Sequence, residues 1–213
     1  MRITRAAAVA TAAIVASALT AAPASAHGTK PLGTKSLAAV LTADKSGFDR
    51  NGHDYDILTA AVQAVLKAKP ASPVKVLADG KTPVTAFIPN DLAFRLLVAD
   101  IQHTKRLPGE KAAFTAVAGL GINTVESVLL YHVVPGSTID RKAALKADGA
   151  KLKTAAGSTI KVDVYGPRWH KRIALIDADR SDRNPRVNRF DVNKGNKQIA
   201  HGIDRVLRPI NLP

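Results

Sequence analysis

Cysteine is absent from the 213 residues of this chain, and aromatic side chains make up only 4% of them. A chain without thiols has neither disulfide bonds nor a cysteine nucleophile, so a hydrophobic core must hold its fold. For the same reason we expect no lipid anchor attached through cysteine. The shortage of aromatic residues argues against the stacking platforms that bind nucleic-acid bases and against an aromatic sugar-binding face.

Familiar catalytic motifs are missing as well. The sequence has no Gly-x-Ser-x-Gly segment and no His-Glu-x-x-His segment. Ser137 follows His132 closely, but no carboxylate that would orient a triad is evident. Paired carboxylates for glycoside hydrolysis stay open, because their separation in space is invisible in a sequence. We expect no enzyme, no cofactor and no metal site, and we keep a secreted hydrolase with an unrecognised acid/base site as the alternative.

Basic residues outnumber acidic ones by 31 to 17, which gives a formal net charge of +14. Such an excess favours association with anionic partners, such as wall polymers, acidic polysaccharides or phospholipid headgroups. The alternative is that the net charge only keeps the protein soluble.

The first 26 residues have the pattern of a secretory signal peptide. Arg2 and Arg5 precede a run of small apolar residues from 6 to 22, and Ala24-Ser25-Ala26 supplies a cleavage site. We expect a secreted, extracellular protein, associated with a cell surface only by binding something there. No transmembrane segment is expected in the mature chain, and export makes nucleic acid the least expected partner.

Apolar periodicity divides the remaining chain into helices first and short strands later. Residues 27–35 read as a flexible lead-in, and 177–189 as an exposed, charged loop. This order favours an α+β domain over alternating βαβ units. Helices are predicted at 36–41, 57–69, 92–97, 111–120 and 125–130, and strands at 85–89, 151–154, 159–164, 173–176 and 199–207.

Three segments carry a family resemblance: TAFIPNDLAF at 85–94, LLYHVVPG at 129–136 and IAHGIDRVLRP at 199–209. In this order they resemble the signature blocks of fasciclin (FAS1) domains. The resemblance implies a domain over 36–209, with 210–213 as a tail, in which two small β-sheets are wedged together and flanked by helices. It also implies an extracellular adhesion or matrix-binding role rather than catalysis.

Most block residues are interpreted as structural. Pro89 would end a strand, and Asn90 or Asp91 would then cap the helix that follows. A histidine within an apolar run is more often hydrogen-bonded structure than a ligand. The structural signature comprises Phe87, Pro89, Asn90, Asp91, Phe94, His201 and Asp204.

Tyr131 and His132 are candidates for partner binding, because the resemblance associates the Tyr-His pair with adhesion. If the pair is buried, its mutation would abolish binding indirectly by unfolding the domain.

The basic stretch from 168 to 172 contains the only tryptophan of the chain. One interpretation is a solvated loop with Trp169 folded onto the core. The other is a site for an anionic polymer, in which arginines contact phosphate or carboxylate groups bidentately. The partner-binding candidates here are Arg168, Trp169, Lys171 and Arg172, and the expected partner of this monomer is an extracellular protein or an anionic polysaccharide or wall polymer.

Two acidic segments raise the question of a cation. Asp49, Asn51, Asp54 and Asp56 resemble the spacing of calcium loops, but the glycine is misplaced and the bidentate glutamate is missing. We favour a capped loop that leads into the next helix. Aspartates at 177, 179 and 182 are interspersed with arginines, and we expect these charges to neutralise one another.

Overall fold

One buried strand, Val84–Pro89 (β1), lies at the centre of the fold. The computed structural model describes residues 31–210. The predicted signal peptide, residues 27–30 of the lead-in and residues 211–213 of the tail lie outside the described residues.

The helices lie in the first two thirds of the described chain. A 3-10 turn at Pro73–Lys75 leads directly into α3. The helices are α1 (Leu37–Leu41), α2 (Asp56–Ala68), α3 (Val76–Asp79), α4 (Asp91–Ile101), α5 (Glu110–Gly119), α6 (Ile122–Tyr131) and α7 (Arg141–Ala144).

The other strands are β2 (Val133–Pro135), β3 (Lys151–Lys153), β4 (Thr159–Tyr165), β5 (Arg172–Ile176), β6 (Val187–Val192) and β7 (Gln198–Ile203). They form a four-stranded sheet in the order β2-β1-β7-β6 and a three-stranded sheet in the order β3-β4-β5.

The three sequence blocks meet side by side in the four-stranded sheet. β1 pairs antiparallel with β2, so that Thr85 lies opposite Val134. On its other edge β1 pairs in parallel with β7, where Phe87 lies opposite His201. Segments that are far apart in the sequence therefore form one continuous hydrogen-bonded unit.

The core has two halves, one on each face of the four-stranded sheet. Val84, Ala86 and Ile88 point toward the helices, whereas Phe87 points toward the three-stranded sheet, because successive strand residues alternate between faces. The half between the sheets includes Phe87, Tyr131, Val134, Ile160, Val162, Ile173, Leu175, Ile203 and Leu207. The expected α+β fold with two wedged sheets is confirmed.

Asn90 and Asp91 act on different helices. The Asn90 side chain accepts a hydrogen bond from the Ala93 N–H at 3.0 Å and caps α4, as predicted. The Asp91 carboxylate instead accepts the N–H groups of Asp56 and Ile57, at 3.1 and 2.9 Å. Asp91 thus caps α2, whose own N-cap residue, Tyr55, makes no side-chain cap bond.

Several elements differ from the sequence expectation. β6 lies partly within the segment predicted as a loop, because its pattern is obscured by charged residues and by register irregularities at Arg189. β7 ends at Ile203, and Val206 and Leu207 are buried without being part of a strand.

The end of the predicted flexible lead-in is held in place. Gly33 donates its N–H to the Gly195 carbonyl at 2.8 Å and accepts the N–H of Lys197 at 2.9 Å. The Lys35 N–H bonds the Asn196 side chain at 3.0 Å. Residues 33–35 thus make long-range hydrogen bonds that their Gly-containing sequence does not reveal.

No single helix among residues 31–210 is long and apolar enough to cross a membrane. The pair α5 and α6 meets the length and composition criteria together, but the two helices are bent by 106° relative to one another.

Replacing the α4 cap tests this part of the fold. We expect Asn90→Ala to lower the free energy of unfolding by about 1 kcal/mol, because the Ala93 N–H loses its acceptor. Asn90→Ser should recover much of this loss, since serine also caps helices. Urea denaturation monitored by circular dichroism measures both values, and equal destabilisation by the two variants would contradict the capping role.

Candidate functional site

The β4–β5 hairpin carries the most exposed large apolar side chain. Trp169 is 88% exposed at the tip of this hairpin. Gly166 opens the turn with φ of +95°, and a Cβ at this position would lie 2.7 Å from the His170 carbonyl oxygen. The interpretation in which Trp169 folds onto the core is wrong, because the tight turn directs it into solvent.

Three cationic side chains surround this tryptophan. Arg168, Lys171 and Arg172 are exposed, and in the part of the chain that the structure describes none of them forms an ion pair with a carboxylate. Their charges are therefore available to an external anion.

The outer face of the three-stranded sheet extends this basic surface. Lys151 on β3 lies directly opposite Lys161 on β4, and both are exposed. Like charges in this position repel each other unless an anion lies between them. Tyr165 pairs with Arg172 in the same sheet, so the hairpin tip adjoins this face, on which Asp163 lies between Lys161 and Tyr165. We call Lys151, Lys153, Lys161, Arg168, Trp169, Lys171 and Arg172 the basic face.

The sequence analysis missed the lysines of the basic face. Each lies in an ordinary alternating strand, and only the strand register brings Lys151 and Lys161 together. The one signal present in the sequence was the absence of acidic residues from the outward positions of β3.

The arginines that follow the basic stretch along the chain make contacts within the domain. Arg183 pairs with Asp204 at 2.8 Å, and the Arg186 guanidinium lies 5.7 Å from the centre of the Tyr165 ring. Asp179 and Asp182 pair with Arg208, at 3.3 and 3.1 Å. Asp179 and Asp182 are thus neutralised, although by arginines of the third block rather than by those interspersed among them. Asp177 accepts the Arg208 N–H and forms no ion pair in the described part of the chain.

Tyr131 and His132 are buried, with 0% and 4% exposure. The Tyr131 hydroxyl donates to the Thr159 carbonyl at 3.3 Å, across the space between the two sheets. Their assignment as partner-binding residues does not fit the structure, because neither presents a surface to a partner. The pair contributes to the core instead.

His132 joins two parts of the chain through both ring nitrogens. Nδ1–H donates to the Val128 carbonyl at 2.7 Å, and Nε2 accepts the N–H of Leu207 at 2.9 Å. Only the neutral imidazole can make both bonds. Burial lowers the pKa of His132 to about 4, so it stays neutral over the physiological range.

The remaining signature residues are also structural. His201 is 1% exposed, accepts the Asp191 N–H and lies beside the Phe87 and Phe190 rings. Asp204 accepts the Arg186 N–H at 2.7 Å in addition to its pair with Arg183.

The acidic loop at 49–56 faces the starts of two other helices. Oxygens of Asp54, Asp91 and Glu110 lie within 4.8 Å of one another. Because Asp91 and Glu110 are only 0% and 3% exposed, a glycosidic bond of a polymer cannot reach them. This cluster therefore gives no support to the hydrolase alternative.

Comparisons with known proteins agree with this architecture. The model of the fasciclin domain matches residues 56–209. The chain belongs to the fasciclin family. Membership supports an adhesion-type module without catalytic chemistry.

Among solved structures, a FAS1 domain pair from the insect cell adhesion molecule fasciclin I is similar at 16% identity and a TM-score of 0.43. The match covers 71% of this chain and 43% of that one, so the chain spans less than half the length of the pair. No curated protein matches the sequence.

The two hydrogen bonds of the His132 ring predict that this residue makes a pH-dependent contribution to the stability of this fasciclin domain. At pH 7.5 we expect His132→Gln to lower the free energy of unfolding by about 2–4 kcal/mol, because buried partners lose their hydrogen bonds. The unfolded histidine binds its proton near pH 6.5 and the folded one only near pH 4. The contribution of His132 is therefore complete above pH 6.5 and is lost as the pH falls through 4.

Denaturant titrations of both proteins between pH 4 and 7.5 measure this difference. The gap between wild type and variant should narrow toward pH 4, and a constant gap would contradict the proposed protonation behaviour. His170→Gln, at an exposed histidine of the hairpin, is the matched control and should leave stability unchanged.

Proposed function

We propose that this fasciclin domain is a secreted, non-enzymatic adhesion module that binds an acidic polysaccharide or wall polymer through its basic face. Export is inferred from the charged and small-apolar pattern of the first 26 residues. The observation that carries the assignment of the binding site is the exposure of Trp169 among cations that have no acidic partner.

An exposed tryptophan at a hairpin tip is unusual for a surface without a partner. Its indole offers a large apolar face and one N–H donor, and tryptophan is enriched where binding energy is concentrated. A sugar ring can cover this apolar face while its acidic substituent reaches a neighbouring cation. Trp169 thus supplies contact area, and Arg168 with Lys171 supplies charge complementarity.

The arrangement of the lysines fits a polymer better than a small anion. Lys161 and Tyr165 are four positions apart along β4, which is about 13 Å at the usual rise of a strand. Tyr165 lies opposite Arg172, where the hairpin tip begins. An extended polyanion can therefore contact the sheet lysines and the tip together.

The basic face is separate from the buried Tyr-His pair. His132 and Tyr131 act within the core, so changes there should affect binding only through the fold. Binding and folding can for this reason be separated by mutation.

Charge reversal tests the proposed surface. We expect a variant with Arg168→Glu, Lys171→Glu and Arg172→Glu to bind isolated cell envelope or an acidic polysaccharide at least about tenfold more weakly, since the contacts are electrostatic. Trp169→Ala alone should weaken binding with less effect on its salt dependence. Wild-type binding should fall steeply with added NaCl. Co-sedimentation across a salt series gives all three results.

A control with the same change in net charge is available on the helical side. Lys45→Glu, Lys105→Glu and Lys111→Glu reverse three exposed charges outside the basic face. Both triple variants should unfold at nearly the wild-type temperature. Equal loss of binding in the two variants would show that only net charge matters, and unchanged binding in the first would overturn the assignment of this face.

A further inference from the structure

Three helices begin at one place in this domain. α2 starts with Asp56, α4 with Asp91 and α5 with Glu110. The loop before α2 connects them, because the Asp91 N–H donates to the Asp54 carbonyl at 3.1 Å and Glu110 accepts the Asp49 N–H at 2.6 Å. Each helix contributes an acidic side chain to this junction.

The carboxylates form two overlapping groups. In one, oxygens of Asp54, Asp91 and Glu110 all lie within 4.8 Å of one another. In the other, the same holds for Asp49, Asp54 and Asp56. Asp54 is common to both groups and is therefore at the centre of what we call the acidic pocket, formed by these five residues.

Three oxygens of the pocket are buried without a hydrogen-bond partner among residues 31–210. They are Oδ1 of Asp54, Oδ2 of Asp56 and Oε1 of Glu110. Glu110 is 3% exposed and Asp56 9%, so solvent does not compensate these groups. A buried carboxylate oxygen without a partner is costly, and several of them side by side repel one another. Such an arrangement requires a positive charge or a proton.

We propose that the acidic pocket binds one Ca²⁺ ion, coordinated by Asp54 together with carboxylates of both groups. Ca²⁺ takes six to eight oxygen ligands at about 2.3–2.6 Å, so ligands on opposite sides of the ion lie about 5 Å apart. The oxygens of each group lie within 4.8 Å of one another, which is close enough for them to share one such ion. Mg²⁺, with bonds of about 2.0–2.1 Å, dehydrates reluctantly and usually keeps several waters, so a site made only of protein carboxylates suits it less well.

Protein groups supply little of the required positive charge. The Arg95 guanidinium interacts electrostatically with Glu110, but its Nε–H donates to the Pro108 carbonyl at 2.7 Å. Backbone N–H groups satisfy both oxygens of Asp91 and Oε2 of Glu110. The positive ends of the three helices favour the anionic forms and so oppose the effect of burial on these carboxylates.

A proton shared between two carboxylates is the competing explanation. Burial and the adjacent Asp54 carboxyl raise the pKa of Asp91, and burial raises the pKa of Asp56 to about 6. A shared proton can compensate one close pair. It does not compensate the unpartnered oxygens of Asp56 and Glu110 as well, whereas an ion at the centre contacts several oxygens at once.

The ion has a route to the pocket from solvent. A surface groove of about 440 Å³ runs beside it and is lined by Asp44, Asn51, His53, Asp54, Tyr55 and Arg189. Asp54 thus belongs both to the groove and to the pocket. Bound Ca²⁺ would hold the starts of α2, α4 and α5 together.

Calcium binding can be measured directly on the purified chain after chelator treatment. At pH 7.5 we expect saturable heat on titration with CaCl₂, at one ion per chain, and at least about tenfold weaker binding of MgCl₂. A hundredfold excess of Ca²⁺ over its Kd should raise the melting temperature by about 5–10 °C.

Asp54→Asn distinguishes a cation site from a merely structural cluster. In chelator the variant should melt at the wild-type temperature or higher, because one repelling charge is removed. In Ca²⁺ it should melt below wild type and bind the ion at least about tenfold more weakly, because a charged ligand is lost. Asp140→Asn is the matched control, since Asp140 caps α7 and asparagine caps equally well.

Two results would overturn the proposal. One is the absence of both binding heat and a melting shift at millimolar Ca²⁺, which would leave the shared proton as the explanation. The other is destabilisation of Asp54→Asn to the same extent in chelator and in Ca²⁺. If Asp54→Asn fails to fold, Glu110→Gln gives the same comparison through an oxygen that also has no partner in the described structure.

Discussion

Pairing of β1 with both β2 and β7 is the constraint on which the rest of this structure depends. It places the three blocks next to one another and gives the sheet one face for the helices and one for the second sheet. His132 and Asp91 then secure the two ends of this arrangement. His132 bonds the segment after β7, and Asp91 holds the start of α2. Residues of the blocks are thus conformational supports rather than contact residues.

In this architecture, different parts of the molecule hold the fold and offer surfaces for binding. The blocks are largely buried, so the surfaces available to a macromolecular partner lie on the periphery. The basic face occupies the three-stranded sheet and its hairpin. The acidic pocket lies where three helices begin. A positively charged contact surface and a negatively charged internal junction can coexist in one small domain because the central sheet separates the elements that carry them.

Much of the fold could be predicted from the sequence because its signals are local. Periodicity indicates α2, β1 and α4, and Asn90 caps α4 as predicted. β6 could not be predicted, because its charged residues and irregular register hide the alternation. Of the site, the sequence indicated the basic hairpin, since Trp169 and its cations are neighbours along the chain.

The sequence by itself determined which segments form helices and strands, and that three distant blocks belong to one fasciclin domain. Only the tertiary structure decided which helix, strand or core region each polar side chain contacts. Asp91 caps a helix that begins 35 residues earlier, Lys151 faces Lys161, and Tyr131 is enclosed between the two sheets. Hydrogen bonds and charge act over a few ångströms in space, and distance along the chain does not show which groups come that close.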